Sequence, residues 1–99
     1  MAIKQVSKKQ AQKNRAIAKI KSKLSPFCFI CGKRGTDLMH LLPKSTFPEH
    51  YTNPLNLVMG CRRCHNLYDN DLLFRQQQTD IFNRICEFDE IGAVRYFKL

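Results

Sequence analysis

The chain has no tryptophan, and its first 34 residues contain no aspartate or glutamate. No apolar run approaches the ~20 residues of a membrane-spanning helix. The basic N-terminus has no apolar segment behind it, so it lacks the form of an export signal. The expectation is a cytoplasmic protein with no membrane partner, in a compartment where thiols stay reduced. With four glycines and four prolines in 99 residues, collagen-like composition is excluded, and no internal repeat is present. A chain of this length makes one small domain with a modest core, for which a bound metal is a common remedy.

What the chain does have is positive charge, +9 in all, placed unevenly. Residues 1–34 hold ten Lys/Arg: Lys4, Lys8, Lys9, Lys13, Arg15, Lys19, Lys21, Lys23, Lys33 and Arg34. The remaining residues hold seven Lys/Arg against eight Asp/Glu. Such an arm calls for a polyanion, and nucleic acid comes ahead of lipid because the arm lacks large anchoring apolar residues. Lys8 to Arg34, together with Arg62 and Arg63, are the candidate DNA contacts. The plainer alternative is a solvated arm that only aids solubility.

The chain also has five cysteines, four of them in two Cys-x-x-Cys pairs, Cys28/Cys31 and Cys61/Cys64, with 29 residues between the pairs. That is the ligand count and spacing of a closed tetrahedral zinc site. Disulfides are disfavoured without a secretory signal, and a redox motif needs one such pair rather than two matched ones. Cys86 reads as a small buried hydrophobe rather than a ligand.

Taken in order, residues 1–6 are expected to fray, and the composition from Ser7 to Leu24 favours a helix with a narrow stripe of Ala16, Ile17, Ile20 and Leu24. Ser25-Pro26 ends it, which divides the chain into an arm (1–24) and a body (25–99). Phe27–Ile30 and Thr36–Leu42 read as strands, with a loop running through Pro48. A helix is expected to open at His65, with Asp69 four residues on along the same face. Asp71 can cap a segment from Leu72, Thr79-Asp80 starts another, and Asp89 can cap a last short helix. The fold class is small α+β with a zinc frame.

His40-Leu41-Leu42-Pro43, then Asn56-Leu57-Val58, then Cys61-x-x-Cys64-His65 resembles an HNH endonuclease of the ββα-metal type with a paired zinc-knuckle frame. Asp37-Leu38-Met39-His40 and the tail from Asp71 are also similar to phage recombination nucleases of the NinG/Rap type. The resemblance covers Cys28 to Asp71. It implies a treble-clef-like ββα-metal core carrying a basic N-terminal helix and C-terminal helices. It also implies DNA phosphodiester hydrolysis, on branched or single-stranded recombination intermediates if the narrower likeness holds. The setting would then be the host cytoplasm. Under the resemblance, His40 is the general base, Asn56 orients it, His65 binds a catalytic Mg²⁺ or Mn²⁺, and the four cysteines hold a structural Zn²⁺.

One position departs from the family pattern. HNH enzymes place Asp or His before the base as a metal ligand, and here that residue is Met39, whose thioether suits neither Mg²⁺ nor Mn²⁺. Asp69 is the first substitute, because His65 and Asp69 can share one ion. Asp37 is the second, although strand alternation turns it away from His40. An acid in place of Met39 is expected to restore an oxygen ligand, provided the local packing accepts a charge. Plainer readings stand beside each role: a strand-end histidine for His40, a backbone-bonded helix-start histidine for His65, and a turn residue for Asn56. His50 either touches phosphate or does nothing. A zinc-finger DNA-binding module without catalysis is the competing function. A small regulatory protein, with a protein partner or a homodimer through its tail, is a third.

Overall fold

The structure is a computed structural model and describes residues 7–99; the fraying expected over residues 1–6 lies outside them. Helix α1 spans Lys8–Lys21, with the Ser7 side chain accepting a hydrogen bond from the Gln10 amide at its start. None of its residues is buried, and its apolar stripe rests on the body rather than entering the core.

Strands β1 (Asp37–His40) and β2 (Leu57–Gly60) form one antiparallel pair, with Asp37 opposite Gly60 and His40 opposite Leu57. Helix α2 (Arg62–Asn70) follows directly, then α3 (Leu72–Gln76) and α4 (Thr79–Phe97). Single 3₁₀ turns at Pro48–His50 and Pro54–Asn56 shape the long loop between the strands. Among the described residues, no helix is long and apolar enough to cross a membrane.

Several boundaries follow from capping. Helix α2 begins at Arg62, ahead of the expected start at His65, because Cys61 is its N-cap and the Cys61 sulfur accepts the Cys64 amide. Asp71 ends α2 and caps α3, its carboxylate accepting the Phe74 amide at 3.1 Å. Asp89 leaves helical geometry inside α4 (φ −160°, ψ 81°) and accepts the Gly92 amide at 2.8 Å, so α4 is two helical segments joined at an internal cap.

The strand expected at Phe27–Ile30 is reduced to one bridge, Phe27 with Arg34. Apart from the Phe29 amide, which reaches the Met59 carbonyl of β2 at 2.9 Å, backbone bonding here is committed to a turn. The Gly32 amide goes to the Cys28 carbonyl, the Cys31 amide to the Cys28 sulfur, and Gly32 takes a positive φ of 79°.

The core is one cluster of Met39, Leu41, Leu42, Phe47, Val58, Tyr68, Ile81, Ile85, Ala93 and Phe97. Tyr68 is wholly buried, and its hydroxyl donates to the Leu41 carbonyl at 2.7 Å, which ties α2 to the end of β1. Ile81, Ile85 and Phe97 bring both segments of α4 against the same cluster. The tail from Asp71 therefore completes the core that supports the two strands and α2.

Candidate active site

The four cysteines come together. Their sulfurs all lie within 4.8 Å of one another and could hold a metal ion. Four thiolates around one zinc at 2.3 Å would stand ~3.8 Å apart, and the Cys31 and Cys61 sulfurs are 3.7 Å apart. Each pair also donates an amide to its own first sulfur, Cys31 to Cys28 and Cys64 to Cys61. Burial pushes the Cys28 thiol up, but the surrounding backbone amides outweigh it and bring it down to about 6. Burial pushes Cys64 up. The donor set fits a soft tetrahedral ion.

A cleft of about 490 Å³ opens between β1, α2 and the loop after β1. Leu38 and His40 enter it from alternate positions of β1, His65 and Asp69 from one face of α2, and Lys44 and Tyr96 from its rim. His65 is held on both sides: Asp37 lies 2.9 Å from Nδ1 and Asp69 lies 3.2 Å from Nε2. Arg62 in turn grips Asp37 through two bonds, of 2.7 and 3.2 Å. Arg62 first and then His65 hold the Asp37 carboxyl well below the usual carboxylate range. Asp37 therefore fixes the ring from behind, with Nδ1–H donated to it. The Nε2 lone pair then faces an Asp69 oxygen, an arrangement completed by a proton or a cation between them. Burial pushes the Asp69 carboxyl up, while His65 and Arg75 pull it down. His65 and Asp69 offer two ligands to a hard divalent ion, with waters or phosphate oxygens left to fill its shell.

His40 is half-buried at the edge of this cleft. Its Nε2 donates to the Tyr51 carbonyl at 3.1 Å, which leaves Nδ1 with the free lone pair. The Tyr51 ring lies parallel to the imidazole, centroids 5.0 Å apart, and the Lys44 ammonium sits 4.5 Å from the Tyr51 ring centre. Burial lowers the His40 pKa despite the Tyr51 bond, so the ring is neutral at neutral pH.

Asn56 is fully buried, and its side-chain hydrogen bonds go to the backbone and not to His40. It accepts the Leu42 amide at 2.8 Å and donates to the Leu42 and His50 carbonyls, both at 3.1 Å. It thereby holds the loop whose next residue, Tyr51, bonds His40. His50 is occupied as well: its Nε2 lies 2.9 Å from Asp89, and its ring meets Phe88 edge-on. Glu49, His50 and Asp89 also form a close group. Asp89 already caps Gly92 and bonds His50, so this group fastens the loop to the kink in α4.

Met39 lies in the core with no exposed surface, opposite Val58, and any side chain on Gly60 would strike its sulfur. The expectation that an acid at this position restores a ligand is corrected: alternation along β1 sends residue 39 away from the cleft, into a site where a charge would be buried. The basic candidates Lys8, Lys9, Lys13, Arg15, Lys19, Lys21, Lys23, Lys33, Arg34, Arg62 and Arg63 are all exposed. Of these, Arg62 is engaged by Asp37, and Lys13 reaches to 6.0 Å from the Tyr51 ring centre.

Arg75 was not among the residues singled out above. It is buried, and it donates to the Tyr68, Asp69 and Tyr96 carbonyls at 2.9, 2.8 and 3.1 Å with its guanidinium 4.0 Å from the Tyr96 ring centre. A cation serving the last carbonyls of α2 and α4 opposes the dipoles of both helices. No local pattern announces such a residue. Compared with family models, curated proteins and solved structures, the chain matches none.

Proposed function

We propose that this protein is a metal-dependent endonuclease of the HNH type that hydrolyses DNA phosphodiester bonds, built on a structural zinc held by Cys28, Cys31, Cys61 and Cys64. The observation that carries the reading is the meeting of His40, His65 and Asp69 in one cleft, with His40 neutral and in a fixed tautomer. Hydrolysis needs a proton acceptor for the attacking water, and His40 Nδ1 has its lone pair free for that proton. The Tyr51 carbonyl accepts Nε2–H and stabilises the imidazolium once the proton arrives. His65 and Asp69 would hold Mg²⁺ or Mn²⁺, which supplies charge neutralisation at the phosphoryl group and help for the leaving oxygen. Asp37 keeps His65 in the tautomer whose Nε2 can ligate. Lys44 on the rim and the basic face of α1 offer contacts for the DNA backbone.

The test is cleavage of linear, nicked and branched DNA with Mn²⁺, comparing wild type with His40→Ala and with an EDTA control. Loss of most turnover in His40→Ala, with zinc content and DNA affinity kept, is the expected outcome. Equal rates would remove His40 from the mechanism.

One observation favours a second reading. The cleft supplies two ligand side chains, and residue 39 is turned into the core. A zinc-framed DNA-binding module without catalysis would explain this, and absence of cleavage on every DNA form would establish it.

A further inference from the structure

Three exposed large apolar side chains, Phe27 at 56%, Phe29 at 40% and Leu55 at 39%, border two grooves of about 200 and 490 Å³. The grooves share Leu24 and Arg84, so they form one continuous surface beside the first cysteine pair. Its cations are Lys19 and Lys23 from the end of the arm and Arg84 from α4. Arg84 is fixed: its Nε donates to the Leu55 carbonyl at 2.8 Å, and its guanidinium carbon lies 5.7 Å from the Phe29 ring centre. Among the described residues, no carboxylate pairs with these three cations. Asp80 borders Phe29 only from a separate hollow with Gln77 and Gln78.

An apolar groove alone would suit an apolar peptide. Partly exposed phenyl rings beside cations that have no carboxylate partner suit a flat ring that carries an anion. In a duplex the base faces are already covered by their neighbours, so the ring must come from an unpaired nucleotide. We propose that the Phe27–Phe29–Arg84 groove binds unpaired nucleotides of a DNA strand, with bases on the phenyl rings and phosphates on Lys19 and Lys23.

The placement of α1 supports this occupant. Lys13 stands near Tyr51, the residue that holds His40, and Lys19 stands at the groove. Six helical steps set them ~9 Å apart along the helix axis, close to three stacked nucleotides at about 3.4 Å each. The inference rests on the nuclease reading for the identity of its ligand as substrate, but its test needs no cleavage.

The experiment measures anisotropy of a labelled fifteen-residue oligo-dT and a blunt duplex of the same length (about 15 in each case) without added Mg²⁺ or Mn²⁺. Phe27→Leu and Phe29→Leu keep an apolar side chain and remove the π face. Each should weaken oligo-dT binding at least ~5-fold and leave duplex binding within about twofold. Arg84→Gln, on a different element, should do the same and keeps the test open if a knuckle variant misfolds. Wild-type affinity for oligo-dT in all three variants would overturn the proposal, as would equal losses on the duplex. A labelled peptide of alternating leucine and glutamate provides the remaining arm. If it binds this groove and oligo-dT does not displace it, the surface belongs to a protein partner and the proposal fails. If the aromatic variants behave as expected and wild type cleaves no DNA, the groove stands and the nuclease reading falls.

Discussion

Replacing Asn56 with alanine would strip three buried or half-buried backbone groups of their partner: the Leu42 amide, the Leu42 carbonyl and the His50 carbonyl. Each unsatisfied group costs ~1–3 kcal/mol, so Asn56→Ala should lose ~3 kcal/mol at the low end. That is a large share of the roughly 5–15 kcal/mol typical of a small domain. Asn56→Asp has the same shape and keeps an oxygen for the Leu42 amide, but it turns a carboxylate oxygen toward the two carbonyls that now receive N–H bonds. It should be worse than alanine at neutral pH. The introduced carboxyl would have a raised pKa in the folded state, so the native protein binds a proton that the unfolded chain has released. The penalty is therefore largest above that raised value and shrinks as pH falls through it.

The assay is urea unfolding followed by circular dichroism at pH 7.5 and about 5.5, with zinc held constant. Asn56→Ala within ~0.5 kcal/mol of wild type, or Asn56→Asp more stable than Asn56→Ala at the higher pH, would refute the reasoning. Because the His50–Tyr51 segment loses an anchor, both variants should also lose activity under conditions where they remain folded.

Purified protein should carry about one tightly bound Zn²⁺ and lose its near-UV signal when a chelator strips it; a fully folded metal-free protein would contradict this. Asp37→Asn should raise the Mn²⁺ concentration needed for half-maximal cleavage ~10–100-fold, since it frees the ring of His65, and an unchanged metal titration would show that Asp37 does not position it. Burial holds the His40 pKa below its ordinary value, so the rate should climb on the acid side with its midpoint below the ordinary histidine value of about 6.5; a midpoint above that value speaks against His40 as the base. Deleting residues 1–24 should flatten the salt dependence of DNA binding and weaken it on every sequence, and an unaltered slope would show that the arm leaves phosphates alone.

Spacing within a few residues was readable because it is already geometry. The two Cys-x-x-Cys turns had to present paired sulfurs, and Asp71 and Asp89 cap helices within three residues of themselves. Phe27–Ile30 misled because its short apolar run reads as a strand, while the Cys28 amide turns back to the Lys33 carbonyl and only the Phe29 amide reaches β2, at the Met59 carbonyl. Contacts between distant segments were not readable. Strand alternation turned Asp37 away from His40, but nothing in the sequence said that α2 would lay His65 and Arg62 against that side. Met39 looked like a defect in a metal site when judged by its neighbour in sequence; the pleat makes it a core residue. Tyr51, His50 and Arg75 act through backbone carbonyls or partners up to 39 residues away, and composition carries no record of that.

The guanidinium of Arg75 has a further consequence for how the molecule comes apart. Its three acceptors belong to α2 and to the far end of α4, and the amide of Gln76 adds a bond to the Phe97 carbonyl at 2.9 Å. Peeling away the last turn of the tail would leave a buried cation with part of its coordination missing, a state too costly to populate halfway. The tail and the cleft helix should therefore open as one cooperative unit, with slow amide exchange shared between them. A protease that clips near Tyr96 would then release the helix that carries His65 and Asp69.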